Sequence, residues 1–386
     1  MGALAPLLRE TLALSREQIG WLTAFFYAGT ALACLPSGWV ADHRGVRCSL
    51  IAAQLLGGSI LAMPLLRPTY NVLLLVMFLV GLTYGTITVI TTKAICDWFP
   101  RTRRATALGM RIAALPLSGT LASAVMPLVA LWRGWSPTFA LLGGLMVASG
   151  LGALLFYFDP GHEGQPAASQ IAVARRRSIF LDYNIWLLAA VGFFFGGVKS
   201  TFATYLALFL HESWGLERVH AARMLALAHL VSIPSYALYG LVSDRWLNGA
   251  SKGLLYGIGT VATAALLALL LLPLGTPPLV LLAFIVLVGF TGLSWGTMYQ
   301  TLTAEVAGPA AVGVGVGITV SCLYAGSTAT APLFGRVADV TGSYRSSWGL
   351  LVLWMVLGIG CLAGVRIALR RQSEEPASRS HTLDSV

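Results

Sequence analysis

Apolar runs of about 18 or more residues, the length of a membrane-spanning helix, recur along nearly the whole chain. One of them, IGWLTAFFYAGTALACLP at residues 19–36, is followed directly by the polar segment SGWVADHRGVR at residues 37–47. The alternating segments of about 10 residues that indicate a membrane-spanning barrel are not found in the sequence. The chain is therefore predicted to be an all-α, multi-pass membrane protein.

Composition narrows the class further. Charged residues make up 10% of the 386-residue chain, whereas about a quarter of a soluble domain is charged. The net charge of +10 arises from Lys and Arg in short connecting segments, which is typical of membrane topology signals. We therefore expect a lipid bilayer around the chain and no nucleic-acid partner. The 5 cysteines lie in or beside apolar runs without metal-ligand spacing, so neither a metal site nor a cofactor is predicted.

Eleven hydrophobic helices are predicted. They lie near residues 18–41, 49–66, 71–96, 105–131, 136–158, 184–210, 219–243, 253–273, 278–304, 309–334 and 346–368. The long polar segment at 159–183 divides the chain into an N-terminal helical half (1–158) and a C-terminal helical half (184–369), and the polar tail at 370–386 is predicted to be disordered. The N-terminal stretch MGALAPLLRE lacks the basic and apolar regions of a cleavable signal peptide.

The two halves repeat each other in sequence. LLRETLALS at 7–15 aligns with FLHESWGLE at 209–217, GWVADHR at 38–44 with GLVSDRW at 240–246, and GLTYGT at 81–86 with GLSWGT at 292–297. Matches at nearly constant offset favour a duplication of six helices. By this alignment the first helix would start before Met1, so residues 1–8 are predicted to be its last turns; the alternative is a true eleven-helix protein.

The distribution of basic residues predicts the orientation. Of the 25 Lys and Arg residues, 14 lie in segments on one side of the predicted membrane and 8 on the other. The positive-inside rule places the more basic side in the cytoplasm, together with the 159–183 linker and the C-terminus. We predict a protein of the cytoplasmic (inner) membrane.

The polar segment at 37–47 carries a recognisable pattern of glycines and charges. It resembles the signature loop of the major facilitator superfamily, with His43 where that family usually has Arg or Lys, and it has a degenerate second copy near residue 240. The residues that carry the pattern are Gly38, Asp42, Arg44, Gly45 and Arg47, then Gly240, Asp244 and Arg245. The resemblance covers essentially the whole chain. It implies two six-helix pseudo-repeats and secondary active transport by alternating access.

The chemistry of this segment can be interpreted from its residues. Gly38 lets another helix approach closely, and Asp42 can accept hydrogen bonds from a facing helix N-terminus. GPAAVGVGVG at 308–317, with Pro309 at a first helical position, is the predicted facing helix. The resemblance implies that this contact holds the halves together in the outward-facing state; a loop that only fixes topology is the alternative. GRVADVTG at 335–342 has the same spacing, but its predicted place on the opposite side argues against a third copy.

A few ionisable residues fall inside the predicted membrane helices, all on helices that line the cavity in this family. They are Lys93, Arg111, Lys199, His229 and Glu305. A charge at a helix centre costs about 2.5–3.5 kcal/mol, so a deeply placed Lys199 points to function, with a structural hydrogen bond as the alternative. Lys93 is a candidate coupling or gating charge, and the alternative is that its side chain only reaches to the membrane surface. His229 can relay a proton, and Glu305, near a helix end, is a candidate gating charge.

The sign of these charges predicts the substrate class. The deep positions are cationic or His, and the guanidinium fork of Arg111 suits a carboxylate. We predict that Arg111 and Lys199 bind a small organic anion. A cationic drug would find no opposite charge at these positions. Aromatic and polar side chains are candidates for the cavity wall, although packing is their alternative role. They are Tyr27, Tyr84, Trp295, Tyr299 and Gln300.

Three functions remain open from the sequence. The first is uptake of a small organic anion with protons by a monomeric symporter, and residues 98–119 resemble the anion-transporting symporter branches of the superfamily. The second is export of a drug or metabolite, and the third is a transport-inactive membrane scaffold or sensor. The sequence shows no nucleotide-binding glycine loop and no nucleophile elbow, so an enzyme is not predicted.

Overall fold

The computed structural model describes residues 1–100, 103–159, 179–246, 251–273, 276–308 and 311–366. This part of the chain folds into α-helices joined by short connections and has no β-strand. The helices are α1 (Ala5–Thr11), α2 (Arg16–Arg44), α3 (Val46–Ala62), α4 (Tyr70–Trp98), α5 (Arg104–Arg133), α6 (Trp135–Phe156), α7 (Tyr183–Trp214), α8 (Arg218–Trp246), α9 (Ser251–Leu271), α10 (Pro278–Gly292), α11 (Gly296–Ala307), α12 (Val312–Thr341) and α13 (Tyr344–Gly364).

These helices confirm the predicted all-α, multi-pass architecture. Within the described ranges, 10 helical stretches are long and apolar enough to cross a membrane. Helix α2, of 29 residues, packs against α4 and α12 and accompanies them across the bundle. The predicted helix at 278–304 is interrupted, because α10 ends at Gly292 and α11 begins at Gly296.

Several predictions fall outside the described residues. They concern the linker at 160–178, the tail at 370–386, Pro309, and the side chains of Asp42 and Asp244. The backbone nevertheless corrects one expectation about the signature segment. Residues 38–44 form the last turns of α2, and only Gly45, with a φ of +79°, separates α2 from α3. The segment is thus a helix end with a tight junction and not an extended loop.

The two ends of the helical bundle can be told apart by the residues that lie there. Helices α2 and α12 pack side by side and run in opposite directions, because Asp339 near the end of α12 contacts Arg16 at the start of α2. We call the end of the bundle with Arg16 and Asp339 the Arg16 face, and the opposite end, with the α2–α3 junction, the Gly45 face. The N-terminal half is α1–α6 and the C-terminal half is α7–α13.

Small residues set the helix spacing within the N-terminal half. A Cβ added at Gly81 of α4 would lie 2.1 Å from the carbonyl oxygen of Phe26 in α2. A Cβ added at Gly58 of α3 would likewise lie 2.5 Å from the carbonyl oxygen of Gly143 in α6. Close backbone approach through glycine is a common way for helices to associate in a bilayer. In the C-terminal half, α9 packs on α13 as α3 packs on α6.

Candidate functional site

The two halves meet mainly through two helix pairs, α2 with α12 and α5 with α8. The α5–α8 contact is tight near the middle of the bundle, where a Cβ added at Gly119 would lie 3.0 Å from the imidazole Cγ of His229. The α2–α12 contact includes a stack of Tyr27 on Tyr324, whose ring centroids lie 5.8 Å apart. These contacts place the predicted residues His229 and Tyr27 at the boundary between the halves.

At the Arg16 face, the halves are closed against each other. A Cβ added at Gly20 of α2 would lie 2.4 Å from the carbonyl oxygen of Ala331 in α12. The Thr23 and Thr204 hydroxyls are 3.0 Å apart and buried. This packing leaves no aqueous passage along these residues on this side.

Ion pairs reinforce this closed face. Glu212 at the end of α7 accepts hydrogen bonds from the guanidinium groups of Arg9 and Arg16, and from the Tyr344 hydroxyl at 2.9 Å. Arg16 also lies 3.6 Å from the Asp339 carboxylate. The Glu212 side chain is 14% exposed and that of Arg16 is 19% exposed, so the pairs are partly shielded from water.

At the Gly45 face, the same helices stand apart. A Cβ added at any of several glycines on the inter-half helices would have no neighbouring atom within 4 Å. These glycines are Gly38 of α2, Gly109 of α5, Gly240 of α8, and Gly313 and Gly317 of α12. At these positions an added Cβ would not meet the opposite half, in contrast to Gly20 at the Arg16 face.

Arg111 of α5 lies at the boundary of the halves. Its Nε donates to the Thr91 hydroxyl at 2.9 Å, and a terminal nitrogen donates to the Thr88 carbonyl at 2.8 Å, both on α4. These two hydrogen bonds hold the guanidinium in place and use two of its five N–H donors.

Lys199 lies midway along α7 in the opposite half. Its Nζ donates to the Tyr236 hydroxyl at 3.1 Å, and that hydroxyl donates to the Leu293 carbonyl at 2.9 Å. The acceptor lies at the break between α10 and α11. The break therefore supports the tyrosine that positions Lys199, which gives the interruption of the predicted 278–304 helix a local role.

Two tyrosine contacts lie close to these residues. Tyr236 accepts a hydrogen bond from Lys199, and Tyr27 of α2 stacks on Tyr324 of α12 across the boundary. Sequence reasoning missed Tyr236 and Tyr324. The available signal for Tyr236 was its position two helical turns after His229 on α8, which places both on one side of the helix. The candidate site is thus an aromatic, cationic lining shared by both halves.

Other predicted residues lie elsewhere. Lys93 donates to the Ala41 carbonyl of α2 at 3.2 Å, close to the signature segment. Glu305 accepts from the Ser251 hydroxyl at 2.6 Å and so ties α11 to the start of α9. These contacts support a packing role at the Gly45 face and do not bring either residue to the Arg111 site.

Trp295, just before α11, and Tyr299, in the first turns of α11, were predicted for the cavity wall but are buried within the C-terminal half. Trp295 is 2% exposed and packs edge-on against Phe195 and Tyr299. The Tyr299 hydroxyl donates to the carbonyls of Leu188 and Thr319 at 2.9 and 3.2 Å. Gln300 is exposed. The structure brings Tyr27 and Tyr84 to the boundary between the halves and places Trp295 and Tyr299 in the core of the C-terminal half.

Comparison with known families agrees with this architecture. A family model described as Major Facilitator Superfamily matches residues 1–330. The chain belongs to the major facilitator superfamily. The resemblance predicted from the signature segment is thereby confirmed, and the protein is a membrane transporter of this family.

Individual superfamily members are similar over nearly the whole chain. A probable sulfoacetate transporter of Cupriavidus necator is 24% identical over 389 residues, which cover 94% of this chain and 88% of the relative. A hexuronate transporter of Escherichia coli strain K12 is 22% identical over 388 residues, which cover 92% and 89%. The crystal structure of a D-xylose–proton symporter matches with a TM-score of 0.76 at 15% identity, covering 94% of this chain and 92% of that chain.

Proposed function

We propose that the protein is a secondary transporter of a small organic anion that carries a carboxylate. The observation that carries the proposal is that Arg111 of α5 and Lys199 of α7 lie inside apolar helices of opposite halves, each held by hydrogen bonds to polar groups of its own half. The 15 Asp and Glu residues of the sequence fall near helix ends, in connecting segments or in the tail. An anionic substrate would therefore supply the negative charge that the centre of the bundle lacks.

The relatives support this substrate class. Sulfoacetate and hexuronate, the substrates in the names of the two similar transporters, are organic anions. In this chain, the Arg111 donors beyond those used by Thr88 and Thr91 can bind a carboxylate, while Lys199 contributes a compact charge from the other half. Binding to both cations draws the halves together, and they rock about the substrate to open alternately at each face.

The proposal includes sidedness and coupling. The excess of basic residues around the α2–α3 junction makes the Gly45 face cytoplasmic, so the structure corresponds to a transporter open to the cytoplasm. Protons are the proposed coupling ion, because His229 of α8 packs against Gly119 of α5 at the boundary between the halves and a histidine can relay a proton. The fold shared with a D-xylose–proton symporter is compatible with this coupling. The proposed protein is a monomer of the inner membrane with no enzymatic step.

Ligand-dependent thermal unfolding of the purified protein tests the proposal. The panel contains sulfoacetate, a hexuronate, an aldonate, a short monocarboxylate and the lipophilic cation tetraphenylphosphonium. A substrate present at about 100 times its Kd adds about 2.7 kcal/mol of stability, which raises the midpoint clearly. We expect one class of organic anion to stabilise the wild type, and Arg111→Gln and Lys199→Gln to abolish the shift.

A matched control lies on the same helix. Arg133→Gln removes an exposed arginine at the other end of α5 and is expected to keep the full ligand shift. Stabilisation by the lipophilic cation alone would contradict the proposal and favour an exporter. Normal anion transport by both Arg111→Gln and Lys199→Gln in proteoliposomes would also contradict it.

A further inference from the structure

The segment Gly335–Gly342 repeats the spacing of the signature segment at the other end of the bundle. Gly38, Asp42 and Gly45 are separated by the same intervals as Gly335, Asp339 and Gly342. Each set ends one of the two antiparallel helices α2 and α12, and each closes with a glycine of positive φ, +79° at Gly45 and +66° at Gly342. The spacing is visible in the sequence, but the predicted place of this segment at the opposite face argued against counting it as a copy.

Asp339 makes the contact that the signature segment is expected to make. Its carboxylate accepts hydrogen bonds from the backbone N–H groups of Arg16 at 3.2 Å and Glu17 at 2.8 Å, at the start of α2. A helix N-terminus carries partial positive charge and unpaired N–H groups, so a carboxylate is its favoured partner. A residue of the C-terminal half therefore caps a helix of the N-terminal half.

Asp339 adds to the capping that the start of α2 already receives from Ser15 and Gln18. The Ser15 hydroxyl accepts from the Gln18 N–H at 3.1 Å, and the Gln18 side chain accepts from the Ser15 N–H at 2.8 Å. The N–H groups of Arg16 and Glu17 remain for Asp339. The first turn of α2 thus has partners for all four N–H groups only while the Arg16 face is closed.

Gly335 makes the approach possible. A Cβ added there would lie 2.4 Å from the carbonyl oxygen of Arg16 and 2.4 Å from the Tyr205 hydroxyl oxygen. That hydroxyl donates to the Arg16 carbonyl at 2.6 Å and to the Ala331 carbonyl at 3.0 Å, so it joins α7 to both helices. The glycine and the carboxylate, four residues apart on α12, together form one interlocking contact.

The start of α12 at the Gly45 face is the counterpart of the start of α2 at the Arg16 face. The N-cap of α12, Ala311, provides no side-chain hydrogen bond. Gly38 of α2 and Gly313 of α12 have no atom within 4 Å of an added Cβ. Among the described residues, the start of α12 therefore lacks side-chain caps like those that Ser15 and Asp339 give to the start of α2.

We propose that Gly335, Asp339 and Gly342 form a second latch, the inverted counterpart of the signature segment. Asp339 caps α2 and stabilises the state open at the Gly45 face, whereas Asp42 caps α12 and stabilises the state open at the Arg16 face. Rocking of the halves exchanges one capped helix for the other. The two latches oppose each other, and this role does not depend on the identity of the substrate.

Two single-cysteine reporters in the purified protein measure the balance between the state open at the Gly45 face and the state open at the Arg16 face. The measurement does not depend on which face is cytoplasmic. The 5 native cysteines are replaced by alanine, and one reporter is introduced at a time. Thr204→Cys reports opening of the Arg16 face, because Thr204 is 4% exposed there. Gly317→Cys reports closing of the Gly45 face, because Gly317 is exposed with no atom within 4 Å of an added Cβ. The rate of maleimide labelling is measured for each.

Asp339→Asn is expected to speed labelling of Thr204→Cys by about tenfold, which corresponds to about 1.4 kcal/mol, and to slow labelling of Gly317→Cys. Asp339→Ala should act more strongly, since it removes the acceptor as well as the charge. Asp42→Asn should shift both rates the other way, and the double variant Asp42→Asn/Asp339→Asn should return them toward the wild-type values. Glu17→Gln is the matched control, because it removes a charge from the same turn and keeps the backbone N–H bonded to Asp339.

Unfolding gives a different result, because it speeds labelling of both reporters together. The latch is contradicted if Asp339→Asn and Asp339→Ala leave both rates unchanged, or if Glu17→Gln shifts them as far as Asp339→Asn does. Loss of anion binding in Arg111→Gln would not alter the expected labelling rates, so failure of the latch and failure of the proposed substrate class are distinguishable.

Discussion

The two ends of the α2–α12 contact contain similar residues in opposite situations. At the Arg16 face, Gly20 and Gly335 lie against the backbone of the opposite helix, and Asp339 caps α2. At the Gly45 face, Gly38 and Gly317 have no atom within 4 Å of an added Cβ. A glycine on an inter-half helix therefore permits a close approach, but the state of the transporter decides whether the approach is made.

The comparison also separates two uses of glycine in this protein. Gly58 and Gly81 pack helices within one half, where contacts persist while the halves rock as units. Gly20 makes such a contact between the halves at the Arg16 face, whereas Gly38 of α2 makes none at the Gly45 face. Substitutions at the two kinds of position, and at the two faces, should consequently differ in their effects on stability and on turnover.

Gly20→Val is expected to have the largest effect. The three atoms nearest to an added Cβ, at 2.4–2.6 Å, all belong to the backbone of α12, so no side chain can move aside. Overpacking of this kind costs about 1–3 kcal/mol, and we expect the upper end of that range. Transport in proteoliposomes should be lost and the thermal unfolding midpoint should fall. Normal transport with an unchanged midpoint would contradict the closed Arg16 face.

Gly240→Val is the corresponding substitution at the Gly45 face. No atom lies within 4 Å of a Cβ added at Gly240, so the unfolding midpoint of the purified protein should stay the same. Turnover should fall by about tenfold, because the valine obstructs closure of this face at a cost within the range for overpacking. A fall in the midpoint as large as that of Gly20→Val would show that this face is packed and not open.

Glu212→Gln should have a smaller effect, confined to the closed face. The amide retains some hydrogen bonds to Arg9, Arg16 and Tyr344 but loses the charge that neutralises two guanidinium groups. We expect a loss of about 1 kcal/mol, measured as a lower thermal midpoint at low salt that high salt partly masks. An unchanged midpoint at low salt would mean that this network contributes nothing to closure.

Glu217→Gln should have the smallest effect. Glu217 pairs with His220 on the same helical turn, and the side chains are 65% and 55% exposed. Exposed pairs of this type are worth about 0–1 kcal/mol, so neither the unfolding midpoint nor the turnover should change measurably. A shift comparable to that of Glu212→Gln would contradict the distinction drawn between partly buried inter-half pairs and solvated local ones.

Helix positions were largely predictable from the sequence. The predicted helices at 105–131 and 184–210 correspond to Arg104–Arg133 and Tyr183–Trp214. Long apolar runs must be helical in a bilayer because each backbone polar group needs an internal partner. The break at 293–295 was not predictable, because its residues are as apolar as their surroundings and the Tyr236 hydroxyl that bonds to Leu293 comes from another helix.

The candidate site was only partly predictable. Arg111 and Lys199 stand out in the sequence because charges inside apolar helices are costly and therefore informative. Tyr236 and Tyr324 do not stand out among 12 tyrosines, since aromatic residues are common in cores. Whether a tyrosine contacts Lys199 or packs in the core like Tyr299 depends on the rotation of its helix about the helix axis. The sequence does not specify that rotation, because these helices are apolar on all sides.

By itself, the sequence determined the membrane-spanning helices, the superfamily, and the cationic character of the bundle centre, because hydrophobic length and buried charge are local properties. The tertiary structure decided which residues close the Arg16 face and that Asp339 caps α2 there. The same Gly–Asp–Gly spacing occurs at 38–45 and at 335–342, so local sequence is equivalent at the two ends. The difference lies in the packing of α2 against α12, where Asp339 meets the free N–H groups of Arg16 and Glu17.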